Sequence, residues 1–115
     1  MSSTKRYCKT LQLEDDPKLI EEYINLHKPE NAWPEISAGM KEVGILEMEI
    51  YLKGTSLFMI MELDEKVDHD SAMNKLNTLP RQKEWEMFVS RFQKTSSTNS
   101  ANEKWVLMDR IYKLE

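Results

Sequence analysis

The chain has 115 residues, enough for one compact domain and too few for two. Hydrophobic residues make up 40% and charged residues 31%, which suits one core under a wetted surface. A net charge of −4 argues against a nucleic-acid or anionic-membrane partner, and no apolar run approaches the roughly 18 residues of a membrane span. The N-terminus lacks an apolar stretch of signal-peptide length, and Cys8 has no second cysteine to pair with, so a cytoplasmic location is expected. Two histidines and one cysteine give no zinc pattern, and three glycines give no phosphate loop; neither metal nor cofactor is expected.

Residues 6–13 alternate. Tyr7, Lys9, Leu11 and Leu13 share one face of a first strand, and Arg6, Cys8, Thr10 and Gln12 share the other. Cys8 reads as a small core residue. Glu14-Asp15-Asp16 starts a helix with an acid at the N-cap and Pro17 at the first helical position. The helix, residues 17–27, turns Leu19, Ile20, Tyr23, Leu26 and His27 to one side. Lys28 precedes Pro29 and is pushed out of the helical region, so the helix stops just after His27. After a bend, residues 33–43 form a second helical piece with Pro34 in its first turn. Trp33, Ile36, Met40 and Val43 lie at helical spacing, and Gly44 is the left-handed cap.

Residues 45–52 form a second strand, with Leu46, Met48, Ile50 and Leu52 on one face. Lys53-Gly54-Thr55-Ser56 is a short hairpin connection. The third strand, residues 57–63, is almost wholly apolar and reads as buried on both faces. In so short a chain, helices cover one face of a sheet and a partner covers the other, which implies a homodimer with sheets facing. Asp68 caps a helix through Leu76, with His69 exposed in its first turn. A further helix spans residues 80–92, with Trp85, Phe88, Val89 and Phe92 on one stripe. Such a stripe is core more often than a binding wall, and Trp85 fits either use. Residues 93–102 form a polar loop too poor in apolar residues to pack, and residues 104–114 alternate as a last strand. The order is β-α-β-β-α-β: one α+β domain, residues 1–115, of ferredoxin-like type, with a four-stranded antiparallel sheet and helices on one face.

Tyr23 and His27 stand four residues apart and so share a helix face. An imidazole titrating near neutral pH, beside a phenol at an element end, suits proton transfer. A cationic histidine at a helix C-terminus also simply favours the helix dipole. The spacing leaves both readings open.

Taken together, Tyr23-x-x-x-His27, Trp33-Pro34-Glu35-Ile36, Ile50-Tyr51-Leu52, Leu57-Phe58, Glu62 and Trp85 resemble the L-rhamnose mutarotases, small sugar epimerases of the dimeric ferredoxin-like (dimeric α/β-barrel) type. The match spans nearly the whole chain in order. The resemblance implies a cofactor-free enzyme that interconverts the anomers of a monosaccharide. It also implies His27 as the proton donor, Tyr23 as a sugar contact and Trp85 as a pocket wall. Two positions depart from the family. Met48 stands where the rhamnose enzymes place a substrate-binding tyrosine, and Glu86 where they place a second tryptophan. Both remain substrate-binding positions in this reading, and they direct attention to another 6-deoxy or neutral hexose, L-fucose among them. The second proton-transfer group is not identifiable from the sequence; a nearby carboxylate such as Glu86, or water, is a candidate. Rival readings of the same fold are a cofactor-free monooxygenase or stress-response domain, and a sugar-binding module without catalysis.

Overall fold

A computed structural model describes residues 3–114. Four strands form one antiparallel sheet: β1 (Thr4–Gln12), β2 (Ile45–Lys53), β3 (Ser56–Asp64) and β4 (Val106–Leu107), in the order β2-β3-β1-β4. Between them run the helices α1 (Pro17–Leu26), α2 (Pro34–Glu42), α3 (His69–Leu76), α4 (Gln82–Val89) and the short α5 (Ala101–Lys104). This is the expected ferredoxin-like arrangement. No described helix is long and apolar enough to cross a membrane.

The local chemistry explains the boundaries near the site. The Asp16 carboxylate accepts the backbone N–H groups of Lys18 and Leu19, at 2.9 and 3.4 Å, and Pro17 opens α1 without forfeiting a helical donor. His27 is the C-cap, and Lys28 is extended at ψ 145 because Pro29 follows it. A single 3₁₀ turn, Pro29–Asn31, carries the chain round the bend, and the Asn31 amide donates to the Asn25 carbonyl at 2.7 Å to hold it. Trp33 then caps α2 with Pro34 at its first position. Gly44 closes that helix at φ +99, where a side chain would be strained and would also meet Val67 at 3.3 Å.

The core lies between the helices and one sheet face. Leu57, Met59, Met61 and Leu63 of β3 bury into it, as do Lys9 and Leu11 of β1 with Leu13 just beyond. From the helices come Tyr23, Ala72, Met73, Leu76 and Val89. Within one chain the opposite face of β3, with Phe58, Ile60 and Glu62, is only half-buried. Cys8 faces that way beside Ile60 and is half-buried, not a core residue as expected.

Four further expectations need correction. His69 is buried at 6% exposure, not exposed: its ring stacks on Tyr7 at 4.6 Å, and Nδ1 lies 2.9 Å from Asp70. The helix expected over 80–92 is shorter, because Arg81 takes a left-handed φ of 65 before α4, and a 3₁₀ turn, Ser90–Phe92, tightens its end. The 93–102 stretch is not merely solvated. Gln93 is buried and pairs with Leu13, and Ser100 with Glu103 forms a capping box that starts α5. The last strand shrinks from 104–114 to two residues because Lys104 is drawn into the core at the end of α5. Beyond the Met108 N–H bond to the Cys8 carbonyl, 2.8 Å, the chain continues without a ladder, and Ile111 is 96% exposed. Alternation creates a strand only where another strand is there to pair with it.

Candidate active site

The α1–α2 unit and α4 stand apart over the sheet and leave a cavity of about 680 Å³. Lys9, Met48, Ile50, Met59 and Met61 line it from the sheet. Tyr23 and His27 line it from α1, Trp33 and Ile36 from the start of α2, and Trp85 and Glu86 from α4. The candidate site residues Tyr23, His27, Met48, Trp85 and Glu86 therefore reach one place, whereas Tyr51, Phe58 and Glu62 of the matched motifs and His69 do not line it. Its size and mostly apolar lining suit a small molecule held by few polar groups.

His27 sits where the helix gives out. The residue is exposed, at the mouth of the cavity, with its ring 4.5 Å from the Tyr23 ring and 5.8 Å from that of Trp85. Nδ1 lies 2.8 Å from the backbone carbonyl of Tyr23. A carbonyl only accepts, so Nδ1 carries the hydrogen, and Nε2 is left as the nitrogen free for chemistry. The helix end thus both places the imidazole and fixes its tautomer. Around it the aromatic wall is tight. Trp33 meets Trp85 edge-on at 5.1 Å and stacks on Phe88 at 5.5 Å, while the Arg81 guanidinium covers Trp33 at 4.2 Å.

Tyr23 is buried, and its hydroxyl accepts the Gln93 amide at 3.2 Å. Burial pushes the phenol up from 10.0 to about 12, against the pull of that hydrogen bond. At neutral pH it is a phenol and serves as a donor, never as a base.

Glu86 does not stand alone in the cavity wall. One carboxylate oxygen meets the Lys104 ammonium at 3.0 Å, and the other accepts from the Gln82 amide at 2.6 Å. Lys104 also donates to the Glu86 carbonyl at 3.0 Å and to the Gln93 side-chain oxygen at 2.9 Å. The chain of contacts runs Gln82–Glu86–Lys104–Gln93–Tyr23 and ties α4, α5 and α1 together behind the site. Burial holds the Glu86 carboxyl above the usual range despite the ammonium beside it.

Sequence reasoning missed Gln82, Gln93 and Lys104, which lie in stretches whose composition reads as wet surface. It also passed over Lys9, which the alternation had placed on the same face as Leu11 and Leu13; an ionisable residue on an apolar face was the available signal. Met48 lines the cavity as a half-buried side chain without a hydroxyl, so β2 brings only apolar groups there. Among the described residues, no three His, Cys, Asp or Glu side chains gather as a metal-ligand set.

Comparison with known proteins places this geometry. The family model described as L-rhamnose mutarotase matches residues 6–114. An L-fucose mutarotase of Xanthomonas campestris pv. campestris is 37% identical over 112 residues, 97% of this chain and 90% of that one. A protein of Dictyostelium discoideum is 36% identical over 115 residues, 96% of this chain and 90% of that one. The crystal structure of an L-rhamnose mutarotase from Formosa agariphila superposes with a TM-score of 0.66 at 16% identity, over 96% of this chain and 99% of that one, which establishes the shared fold.

Proposed function

The chain belongs to the L-rhamnose mutarotase family of carbohydrate isomerases, and from that premise we propose that it exchanges the α and β anomers of a 6-deoxy hexose of the L-fucose or L-rhamnose type. The observation that carries the reading is His27. Its Nδ1 is tied to the Tyr23 carbonyl, and its other nitrogen is free at a cavity large enough to admit a monosaccharide and walled by Trp85.

Mutarotation opens a pyranose when a proton reaches the ring oxygen and another leaves the anomeric hydroxyl. Closure on the other face of the carbonyl reverses both transfers. Protonated on Nε2 as well as on Nδ1, His27 donates to the ring oxygen through Nε2 and takes the proton back on closure. A positioned acid or base of this kind supplies roughly 10²–10⁴-fold. Tyr23 is a hydrogen-bond donor to the sugar, because burial keeps its proton in place. Trp85 offers a flat face to the C–H side of the ring. Met48 and Glu86 shape the pocket. Glu86 has both oxygens engaged by Lys104 and Gln82, so it serves as a fixed acceptor for sugar hydroxyls and not as the mobile base. The likeness to an L-fucose mutarotase at 37% identity favours L-fucose.

Saturation transfer between the two anomeric protons, with L-fucose, L-rhamnose and a set of aldoses, tests the reading. Exchange well above the buffer rate is expected for one of the two 6-deoxy sugars. Buffer-rate exchange for every sugar would overturn it.

A homodimer through the open sheet face is part of the proposal. Phe58 and Ile60 are half-buried there, and the extended end of the chain exposes Ile111, Tyr112 and Leu114. Light scattering should give twice the mass of one chain, and a monomer at micromolar concentration contradicts it.

A further inference from the structure

Lys9 lies in β1, at the middle of the sheet, facing Met73 of α3 across the core. It lines the cavity and is 2% exposed. Its ammonium has one polar contact within hydrogen-bond distance, the Met73 thioether at 3.8 Å, which is a weak acceptor. It takes part in none of the ion pairs of the described residues. The carboxylate that acts on it from a distance, Asp70, is itself exposed and bonded to His69. Three N–H donors are thus buried among methionines with nothing adequate to accept them. Such a group costs a fold several kcal/mol and does nothing for its packing that a methionine would not do better.

We infer that Lys9 is the second proton-transfer group of the site, working with His27 on the bound sugar. This rests on the mutarotase reading above and supplies what that reading lacks. The titratable groups facing the cavity narrow the choice. From α1 come Tyr23, which keeps its proton, and His27; from α4 comes Glu86, held by Lys104 and Gln82. His27 and Lys9 are the two with a nitrogen not committed to a protein partner. Burial draws the Lys9 ammonium from 10.5 down to about 8, with Asp70 pulling the other way, so both of its protonation states are accessible near neutral pH.

In ring opening, the protonated member of the pair gives its proton to the ring oxygen as the C1–O bond breaks, both electrons staying on that oxygen. The unprotonated member takes the proton of the anomeric hydroxyl, and that O–H electron pair becomes the second bond of the C1 carbonyl. Rotation about C1–C2 presents the other carbonyl face, and the same transfers run backward. Protons and electrons balance, and no co-reactant is needed.

The experiment is anomer exchange on wild type, Lys9→Met and Lys9→Arg, across pH 6–10. Methionine fits the apolar surroundings, and arginine keeps charge and donors but cannot deprotonate. Both variants are expected to lose roughly 10²-fold or more in exchange, and the wild-type limb near pH 8 should vanish in both. Folded variants within twofold of wild type, with that limb retained, overturn the role of Lys9 and leave the mutarotase reading standing. Wild type at the buffer rate with every sugar rejects both. If neither variant folds, the Lys9 13Cε resonance of the wild type decides. Its midpoint is expected to move when L-fucose is added, and an unmoved midpoint at saturation rejects the assignment.

Discussion

Lys104 and Lys9 are both buried around the same cavity, at 3% and 2% exposure, in opposite electrostatic settings. Behind the helical wall, Lys104 has its three donors distributed over the Glu86 carboxylate, the Glu86 carbonyl and Gln93. In the sheet, Lys9 meets one thioether. The first arrangement is how a fold holds a buried charge: paired, with its remaining hydrogen bonds satisfied. The second is how a site holds one, in a place whose missing partner arrives with the substrate. Burial alone therefore does not distinguish structural from functional lysines; the count of acceptors does.

Removing Lys104 should break that contrast most severely. Lys104→Met strands the Glu86 carboxylate in the core and frees Gln93, at a cost of about 3–5 kcal/mol. Urea denaturation reads it, and a change below about 1 kcal/mol would mean the pair adds no more than a surface contact.

Lys9→Met should act in the other direction and gain about 1–3 kcal/mol at neutral pH, because it removes an unpaired charge from the interior. The pH dependence sharpens the comparison. A lysine lowered from 10.5 to about 8 on folding binds fewer protons folded than unfolded between those values, so its burden is complete below pH 8 and lifts as pH rises toward 10.5. The stability advantage of Lys9→Met over wild type should shrink across that window. A constant difference from pH 7 to 10.5 would place the ammonium in water instead.

The smallest effect belongs to the far end of the network. Tyr23→Phe leaves the Gln93 amide without its acceptor and should cost about 1–2 kcal/mol. The phenol is raised to about 12, so the stability its proton confers is present below pH 10 and is lost as pH climbs from 10 to 12. Phenylalanine should remove that alkaline step, and a melt series in which wild type and variant fall together above pH 10 would contradict the raised value.

The fold was legible because its signals are local. Pro17 and Asp16 start α1, Pro29 ends it, Gly44 closes α2, alternation marks the first two strands and a nearly continuous apolar run the third. The aromatic and imidazole part of the site was legible for the same reason, since Tyr23 and His27 share one helix face and the resemblance of Trp33-Pro34 and Trp85 joins them. What escaped depends on contacts between residues distant in sequence. Lys104 is a core residue only because α5 brings it to Glu86, eighteen positions away. His69 is buried, and Tyr7, sixty-two positions away, stacks on it. The last strand failed for the converse reason: its alternation is regular, but past Met108 it has no pairing partner among the described residues.

The central claim is that the imidazole at the end of α1 moves the proton to and from the sugar ring. Saturation transfer between the anomeric protons of the best sugar, measured on wild type and on folded His27→Ala, tests it most directly. The variant should fall by roughly 10²–10⁴-fold toward the buffer rate while its circular dichroism is unchanged. Exchange at the wild-type rate in a folded His27→Ala protein would contradict it.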